Sequence, residues 1–177
     1  LCFGAHSGNH HHDLLPFPFN ENYLENSSRR INEIQEFFGE KILVENLSYY
    51  VEFKESEMSE AQFISKLAKK ADCNLLVDLN NIWVNSKNIN VDVKDHLAQM
   101  DWTRVKEVHV AGAELFGNIY VDTHGSNVHE DVIQITKDCR NQIQNIPIIY
   151  EKDNNVDSVK EMMKQVEVLN EVIYDKV

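Results

Sequence analysis

Val105-Lys-Glu-Val-His-Val-Ala-Gly112 is a short, mostly apolar stretch that predicts a strand ending near His109. Asn118-Ile-Tyr-Val-Asp-Thr-His-Gly125 follows it and carries an aspartate and a second histidine two residues apart. If this second stretch is extended, Asp122 and His124 point to the same face, because side chains alternate along a strand. Two imidazoles and a carboxylate have the composition of a zinc, manganese or iron site. A histidine on its own is more often a hydrogen-bonding residue, so both interpretations stay open here.

Three other apolar stretches also predict strands, and each ends on a carboxylate: Glu45, Asp78 and Glu151. With His109 included, successive strand ends lie 33, 31 and 42 residues apart, which suits βα units. Nearly continuous apolar strands indicate burial on both faces and therefore a parallel sheet. A (β/α) barrel of the TIM type builds its active site at the C-terminal ends of its strands, so we expect this fold. An open doubly wound sheet binds ligands at the same edge and is the alternative.

Helical periodicity predicts helices between these strands. The first covers Glu21–Phe38 and stops at Gly39, and another begins at the capping box Ser59-Glu-Ala-Gln62. A weak short helix is expected over Val93–Met100, one over Val128–Ile143, and a last one from about Asp157 to Tyr174. The residues expected to face inward on the first, second and last helices are Leu24, Ile31, Ile34 and Phe38, then Phe63, Ile64, Leu67, Ala68 and Ala71, then Val159, Met162, Met163, Val166, Leu169 and Ile173.

The length of 177 residues predicts one domain over residues 1–177. A complete eight-unit barrel needs roughly 250 residues, so the chain has room for about five units. Leu1-Cys-Phe-Gly4 begins inside an apolar run, and we expect a fragment, the C-terminal portion of a barrel without its N-terminal strands. Residues 5–19 contain four histidines, but glycine, asparagine and two prolines predict a solvated loop with no fixed ligand spacing.

The net charge of −12 argues against non-specific binding of nucleic acid and against an anionic membrane surface as partners. No apolar run reaches the length of a membrane span. Cys2, Cys73 and Cys139 form no Cys-x-x-Cys pair, so reduced thiols and a cytoplasmic location are expected. Nucleotide-binding glycine motifs and the Gly-x-Ser-x-Gly elbow of serine hydrolases do not occur.

The predicted strand ends would converge on one rim, joined by Asp122 and His124 from the following loop. Packed carboxylates repel one another and raise their pKa values unless cations lie among them. The number of ligands exceeds what one ion needs, so we expect at least two metals. Imidazoles with carboxylates suit iron, manganese or zinc better than calcium or magnesium. Asn81 offers a further amide oxygen, although a capping or turn role is equally compatible with its position.

Seven motifs in a fixed order resemble one bacterial family of TIM barrels, the multinuclear iron-dependent oxidases, formerly uncharacterised, which include the methanobactin-biosynthesis oxidase subunit. The motifs are Asp13-Leu-Leu-Pro-Phe-Pro18, Val44-Glu-Asn-Leu-Ser-Tyr-Tyr50, Met58-Ser-Glu-Ala-Gln-Phe63, Leu75-Leu-Val-Asp-Leu-Asn-Asn81, Val108-His-Val-Ala-Gly112, Asp122-Thr-His124 and Ile149-Tyr-Glu-Lys-Asp153. The resemblance covers nearly the whole chain. It implies a barrel related to xylose isomerase, two or three irons, and oxygen-dependent modification of cysteines in a ribosomally made precursor peptide. A small partner protein that binds the peptide leader is also implied.

The resemblance assigns metal-ligand positions to the residues already reached from the strand ends, which are Glu45, Asp78, Asn81, His109, Asp122, His124 and Glu151. The family's earlier strands supply further ligands, including a histidine that would stand directly before Leu1. We therefore expect this chain to hold part of the cluster. The product formed from the peptide is not determined by the sequence.

Two other functions are compatible with the same residues. A zinc or manganese hydrolase or a sugar isomerase on the same barrel would use a metal-bound water, or two metals that polarise a sugar. An inactive fragment or a peptide-binding module would lack a complete centre. Metal analysis combined with oxygen uptake distinguishes the oxidase from the hydrolase or isomerase. The metal content of the full-length protein compared with that of the fragment tests the third hypothesis.

Overall fold

A computed structural model describes the backbone of residues 3–6 and 9–174, and the side chains of residues 15–174. Its strands are β1 (Phe3–His6), β2 (Asn9–Leu15), β3 (Leu43–Glu45), β4 (Asn74–Asp78), β5 (Val105–Val110), β6 (Glu114–Phe116), β7 (Ile119–Val121) and β8 (Ile148–Tyr150). Its helices are α1 (Glu21–Phe38), α2 (Glu60–Ala71), α3 (Leu79–Ile89), α4 (Val93–Gln99), α5 (Glu130–Asp138), α6 (Arg140–Ile143) and α7 (Val159–Tyr174), with a 3₁₀ turn at Trp102–Arg104.

Four of the strands form a parallel sheet in the order β3-β4-β5-β8. The predicted α/β class with a parallel sheet is therefore confirmed. Asp78 is the register partner of His109, and Val110 is the partner of Tyr150, so the carboxyl ends of neighbouring strands lie at one edge. Over the described ranges the sheet is open, and the closed TIM-type barrel remains a prediction.

The sheet is covered by amphipathic helices, of which α2 is the most regular. Its capping box has formed, because the Ser59 hydroxyl accepts the Gln62 N–H and the Gln62 side chain accepts the Ser59 N–H, both at 3.2 Å. All five residues predicted to face inward on α2 are buried. They pack with the apolar residues of β4 and β5 in one hydrophobic core.

Part of the predicted inward faces is nevertheless exposed. Helix α1 has the predicted bounds and ends at Gly39 with a φ of 75°, but Ile34 and Phe38 are 43% and 62% exposed. On α7, Val159 and Met163 are also exposed, whereas Leu169 and Ile173 are buried. The prediction is wrong at these four positions because periodicity places residues on a common face without showing how far a neighbouring element covers that face.

Several local predictions are corrected by the backbone. Residues 3–6 and 9–15 form an antiparallel hairpin where a loop was expected, and the four histidine side chains of this stretch lie outside the described residues, as does Cys2. Helix α3 begins directly at the end of β4 and was not predicted. The helix expected over 128–143 is divided into α5 and α6 at Cys139. In the part of the chain described, no helix combines the length and apolar character that crossing a membrane would require.

Candidate metal centre

The ends of the four parallel strands bring their polar side chains to one edge of the sheet. Glu45 and Asp78 are the last residues of β3 and β4, and His109 is the penultimate residue of β5. Glu151 follows β8 directly and remains tied to the sheet, since its N–H donates to the Val110 carbonyl at 3.0 Å. The backbone ladder therefore fixes the positions from which all four side chains leave the sheet.

These side chains form two groups with the spacing of metal ligands. In the first, one ligand atom each from Glu45, Asp78 and His109 lies within 4.8 Å of the others. In the second, Asp78, His124 and Glu151 satisfy the same distance. Asp78 belongs to both groups, so the two groups are adjacent and share this residue.

Asp122 and His124 meet through a turn and not along an extended strand. Strand β7 ends at Val121, and His124 adopts a left-handed backbone conformation with a φ of 49°. This turn brings His124 Nε2 to 2.9 Å from Asp122 Oδ1. The condition of an extended stretch is therefore not met, and the turn brings the two residues together instead.

Asp122 is held at the rim by three groups from two other segments, the loop after β3 and helix α3. Its Oδ1 accepts a hydrogen bond from the Asn80 amide at 2.7 Å, and its Oδ2 accepts one from the Ser48 hydroxyl at 3.2 Å. Its backbone N–H donates to the Tyr50 hydroxyl at 3.3 Å. Asp122 lies outside both groups of three and contacts the second group through His124.

Asn81 has both a structural contact and a free ligand atom. Its N–H donates to Asp78 Oδ1 at 2.9 Å, which makes Asp78 the N-cap of α3. Its side-chain amide donates to the Asn46 carbonyl at 3.1 Å, and its buried Oδ1 has no hydrogen-bond partner among the described residues. The turn role and the ligand role are thus compatible with each other.

The cluster contains buried atoms whose hydrogen-bonding capacity is not used. Asp78 is completely buried, and its Oδ2 has no hydrogen-bond partner in the described structure. His109 Nδ1 lies 3.0 Å from Glu151 Oε2 without hydrogen-bond geometry. Lone pairs that converge without donors between them are what a shared cation would use, so the residues present fit metal ions. Oxygen and imidazole nitrogen together suit iron, manganese or zinc.

Carboxylates outside the two groups orient the two imidazoles. Glu107 Oε1 lies 3.0 Å from His109 Nε2, and Asp153 Oδ2 lies 3.2 Å from His124 Nδ1. Histidines that bind metals commonly donate their other ring N–H to a carboxylate, which fixes the tautomer and the ring orientation. With Nε2 protonated, His109 presents the lone pair of Nδ1 to the side of Glu151.

The ionisation of the cluster also favours a cation. Burial raises the pKa of Asp78 well above its ordinary value, and the charge of Asp122 raises it further. Burial likewise raises the pKa of Glu45, against the opposing effect of His109. For His124, burial opposes the charged form, but Asp122, Asp78 and Glu151 outweigh it and raise the pKa to about 9. A bound cation would offset the burial and like-charge repulsion that raise the pKa values of the two carboxyl groups.

Comparison with known proteins places the chain in a family. The sequence model described as RiPP precursor modification enzyme MbnB/TglH/ChrH matches residues 1–174, where a RiPP is a ribosomally made and modified peptide. The chain belongs to the MbnB/TglH/ChrH family. The resemblance expected from the seven motifs is confirmed.

Relatives in the MbnB/TglH/ChrH family include UPF0276 proteins from several bacteria. The chain is 35% identical to those of Anaeromyxobacter sp. (strain Fw109-5) and Acaryochloris marina (strain MBIC 11017), over 93% of its own length and 58% and 60% of theirs. It is also 35% identical to that of Neisseria meningitidis serogroup B (strain ATCC BAA-335 / MC58), over 92% of its length and 59% of the relative. The chain thus spans about three fifths of the curated relatives it matches.

For this MbnB/TglH/ChrH chain, sequence reasoning overlooked the residues that support the predicted ligands. Asn46 is one of them, because its side chain forms two hydrogen bonds with the backbone of Asp78, at 2.8 and 3.0 Å. Ser48, Asn80, Glu107 and Asp153 are the others. Glu107 was accessible from sequence, since it lies two residues before His109 and therefore on the same face of β5.

Proposed function

We propose that this protein acts as a multinuclear non-haem iron enzyme that uses oxygen to modify cysteine residues of a ribosomally made precursor peptide. The observation that carries the proposal is the pair of ligand groups that share Asp78 at one sheet edge. Membership of the RiPP precursor modification family supports a peptide substrate. Because the chain spans about three fifths of its relatives, the proposal concerns the activity of the whole protein.

The proposed ligands are Glu45, Asp78, Asn81, His109, Asp122, His124 and Glu151. Asp78 would help to hold ions in both ligand groups, while the N–H of Asn81 keeps its carboxylate in place. Glu107 would hold the proton of His109 Nε2 and so keep Nδ1 available. Ser48 and Asn80 would restrain Asp122 so that it stays beside His124.

Two or three irons would supply the activation of oxygen and accept electrons from the cysteine. The chain's own carboxylates and imidazoles would hold these ions at the edge of the sheet. Buried carboxylates and His124 would release their protons when ions bind, because the ions replace the protons as the positive charge in the cluster. No side chain is required as a nucleophile.

We further propose that the substrate reaches the enzyme with a small partner protein bound to the peptide leader. We propose a cytoplasmic location as well. It is supported by Cys73 and Cys139, which are buried free thiols. Residues 1–177 would form one domain, the C-terminal portion of a (β/α) barrel.

The test is reconstitution with Fe(II) under nitrogen, followed by metal analysis and oxygen uptake. The substrate for the assay is a short cysteine-bearing peptide, chosen from open reading frames found near the gene. We expect at least two irons per chain in the whole protein, and oxygen uptake that requires the peptide. The variant Asp78→Asn should lose both, and Asp138→Asn, an exposed aspartate on α5, should lose neither.

Two results would contradict the proposal. Zinc or manganese retained in preference to iron, with no oxygen consumed, would favour a hydrolase or a sugar isomerase. Peptide binding without any bound metal would favour a binding module without a complete centre. Measurement of metal content alongside oxygen uptake separates these cases in one preparation.

A further inference from the structure

A half-buried asparagine of α3, Asn88, binds the backbone of the strand that leads to the metal centre. Its Nδ2 donates to the Tyr120 carbonyl at 2.8 Å, and its Oδ1 accepts the Tyr120 N–H at 3.0 Å. A side chain that bonds both backbone groups of one residue imitates a hydrogen-bonded neighbour in an antiparallel sheet. Asn88 therefore takes the place of a paired strand on the edge of β7 that faces away from β6.

Another asparagine of α3, Asn85, fixes the loop that follows β3. Asn85 is completely buried; its Oδ1 accepts the Tyr49 N–H at 2.9 Å, and its Nδ2 donates to the Leu47 carbonyl at 2.8 Å. Between these two anchored residues, the Ser48 hydroxyl donates to Asp122 Oδ2 at 3.2 Å. Asn85 thus holds the stretch of loop that presents a donor to Asp122.

Helix α3 is therefore the common support of the segments that meet at Asp122. The Asn80 amide, on the same helix, donates to Asp122 Oδ1 at 2.7 Å. Asn88 fixes Tyr120, which lies two residues before Asp122 in the chain. Two donors to the carboxylate and the strand that carries it are all held to one helix. A loss of the Asn88 contact would free the strand while these donors stay in place.

The position of Asp122 affects one of the two ligand groups more than the other. Asp122 Oδ1 lies 2.9 Å from Nε2 of His124, which forms the second group with Asp78 and Glu151. A shift of Asp122 would therefore displace this imidazole. The members of the first group lie on β3, β4 and β5, where the ladder of the sheet holds them in place. The two groups should respond differently to a change at position 88.

We propose that Asn88 is a positioning residue for the second ligand group, since it fixes β7 to α3 and so places Asp122 beside His124. The inference rests on the proposed function only in requiring bound metal ions, and it involves neither the peptide nor oxygen. Removing a hydrogen-bonding partner of a metal ligand typically lowers metal affinity roughly 10–100-fold. Because Asn88 acts through Asp122, we expect the lower end of this range, about tenfold.

The experiment titrates the metal-free whole protein with Fe(II) under nitrogen and measures the affinity of each site in competition with a chelator. The site that is lost in His124→Gln identifies the second ligand group. We expect Asn88→Ala to weaken this site about tenfold and to leave the affinity of the other site unchanged. Asn26→Ala is the matched control on α1, where the Asn26 amide donates to the Asn22 carbonyl at 3.1 Å, and it should alter neither affinity.

A double-mutant cycle tests whether the effect passes through Asp122. In the Asp122→Asn background, Asn88→Ala should cause no further loss of affinity, whereas independent effects would add. Equal affinity of Asn88→Ala and wild type, equal losses at both sites, or full additivity with Asp122→Asn would overturn the positioning role alone. A wild type that binds no iron would overturn the metal centre itself and the proposed function with it. Alanine favours a helix more than asparagine does, so α3 should remain intact in these variants.

Discussion

Replacing Asp78 by asparagine should stabilise the metal-free protein while removing its metal binding. Asp78 is completely buried, and its pKa is raised by burial and by the charge of Asp122. Asparagine keeps an Oδ1 to accept the Asn81 N–H, which is bonded at 2.9 Å, so the cap of α3 is retained. The variant replaces the unpartnered Oδ2 with a neutral amide beside Glu45, whose carboxylate belongs to the same ligand group.

The magnitude follows from the cost of that unpartnered atom. A buried acceptor without a donor costs roughly 1–3 kcal/mol, so the free energy of unfolding should rise by about that amount. The pH dependence has a definite sign. Because the folded pKa of Asp78 lies above its ordinary value of 3.8, the metal-free wild type loses stability as pH rises from about 4 through the folded pKa. The advantage of the variant should grow over the same range.

The assay is urea denaturation of wild type and Asp78→Asn in EDTA at several pH values, with ΔG obtained by linear extrapolation. Metal content is measured on the same variants without chelator. Asp138→Asn serves as the control, because Asp138 is exposed and its side chain accepts a hydrogen bond from Gln134 on the same helix, away from the ligand groups. A variant that is less stable than wild type in EDTA and still binds its full complement of metal would refute the reasoning.

Three further outcomes follow from single residues. The ion pairs of His124 should stabilise the metal-free protein fully below pH 6.5, and this stabilisation should be lost as pH rises through about 9. Thermal melts in EDTA across that range would measure the loss. The variant His124→Gln should show a weaker dependence of melting temperature on pH. Leu67→Ala removes a side chain with no exposed surface and should cost roughly 2–5 kcal/mol in urea denaturation; a cost below 1 kcal/mol would contradict the packing. Ser59→Ala should cost roughly 0.5–2 kcal/mol by the same measurement, because the Gln62 N–H loses its acceptor, and Ser59→Asp should recover most of it.

The parallel sheet could be predicted because its strands are short, apolar on both faces and followed by polar residues. Asp78 and His109 are register partners, as expected of two strand ends at one edge. Helix α3 could not be predicted in the same way, since its first turn contains Asn80 and Asn81, which are poor helix formers. Both asparagines are buried there and bonded to loops, so tertiary contacts outweigh the local preference.

The candidate ligands were reachable from sequence, but their arrangement was not. The turn at His124 depends on a left-handed backbone conformation, which residues other than glycine seldom adopt. The neighbouring sequence contains no pattern that predicts this turn. The exposure of Ile34 and Phe38 could not be predicted either. Helical periodicity shows which residues share a face, but it does not show which element packs on that face. The sharing of Asp78 between two groups is a property of three-dimensional distance alone.

Metal binding at Asp78 should affect how often the first turn of α3 opens. Its Oδ1 caps the first turn of α3, and its carboxylate also belongs to both ligand groups. An ion that restrains the carboxylate would also restrain the cap, and binding to the folded form alone suppresses local opening. Amide hydrogen exchange at Asn81 should therefore slow when ions are bound. One backbone proton would then report on the state of the centre without any added probe.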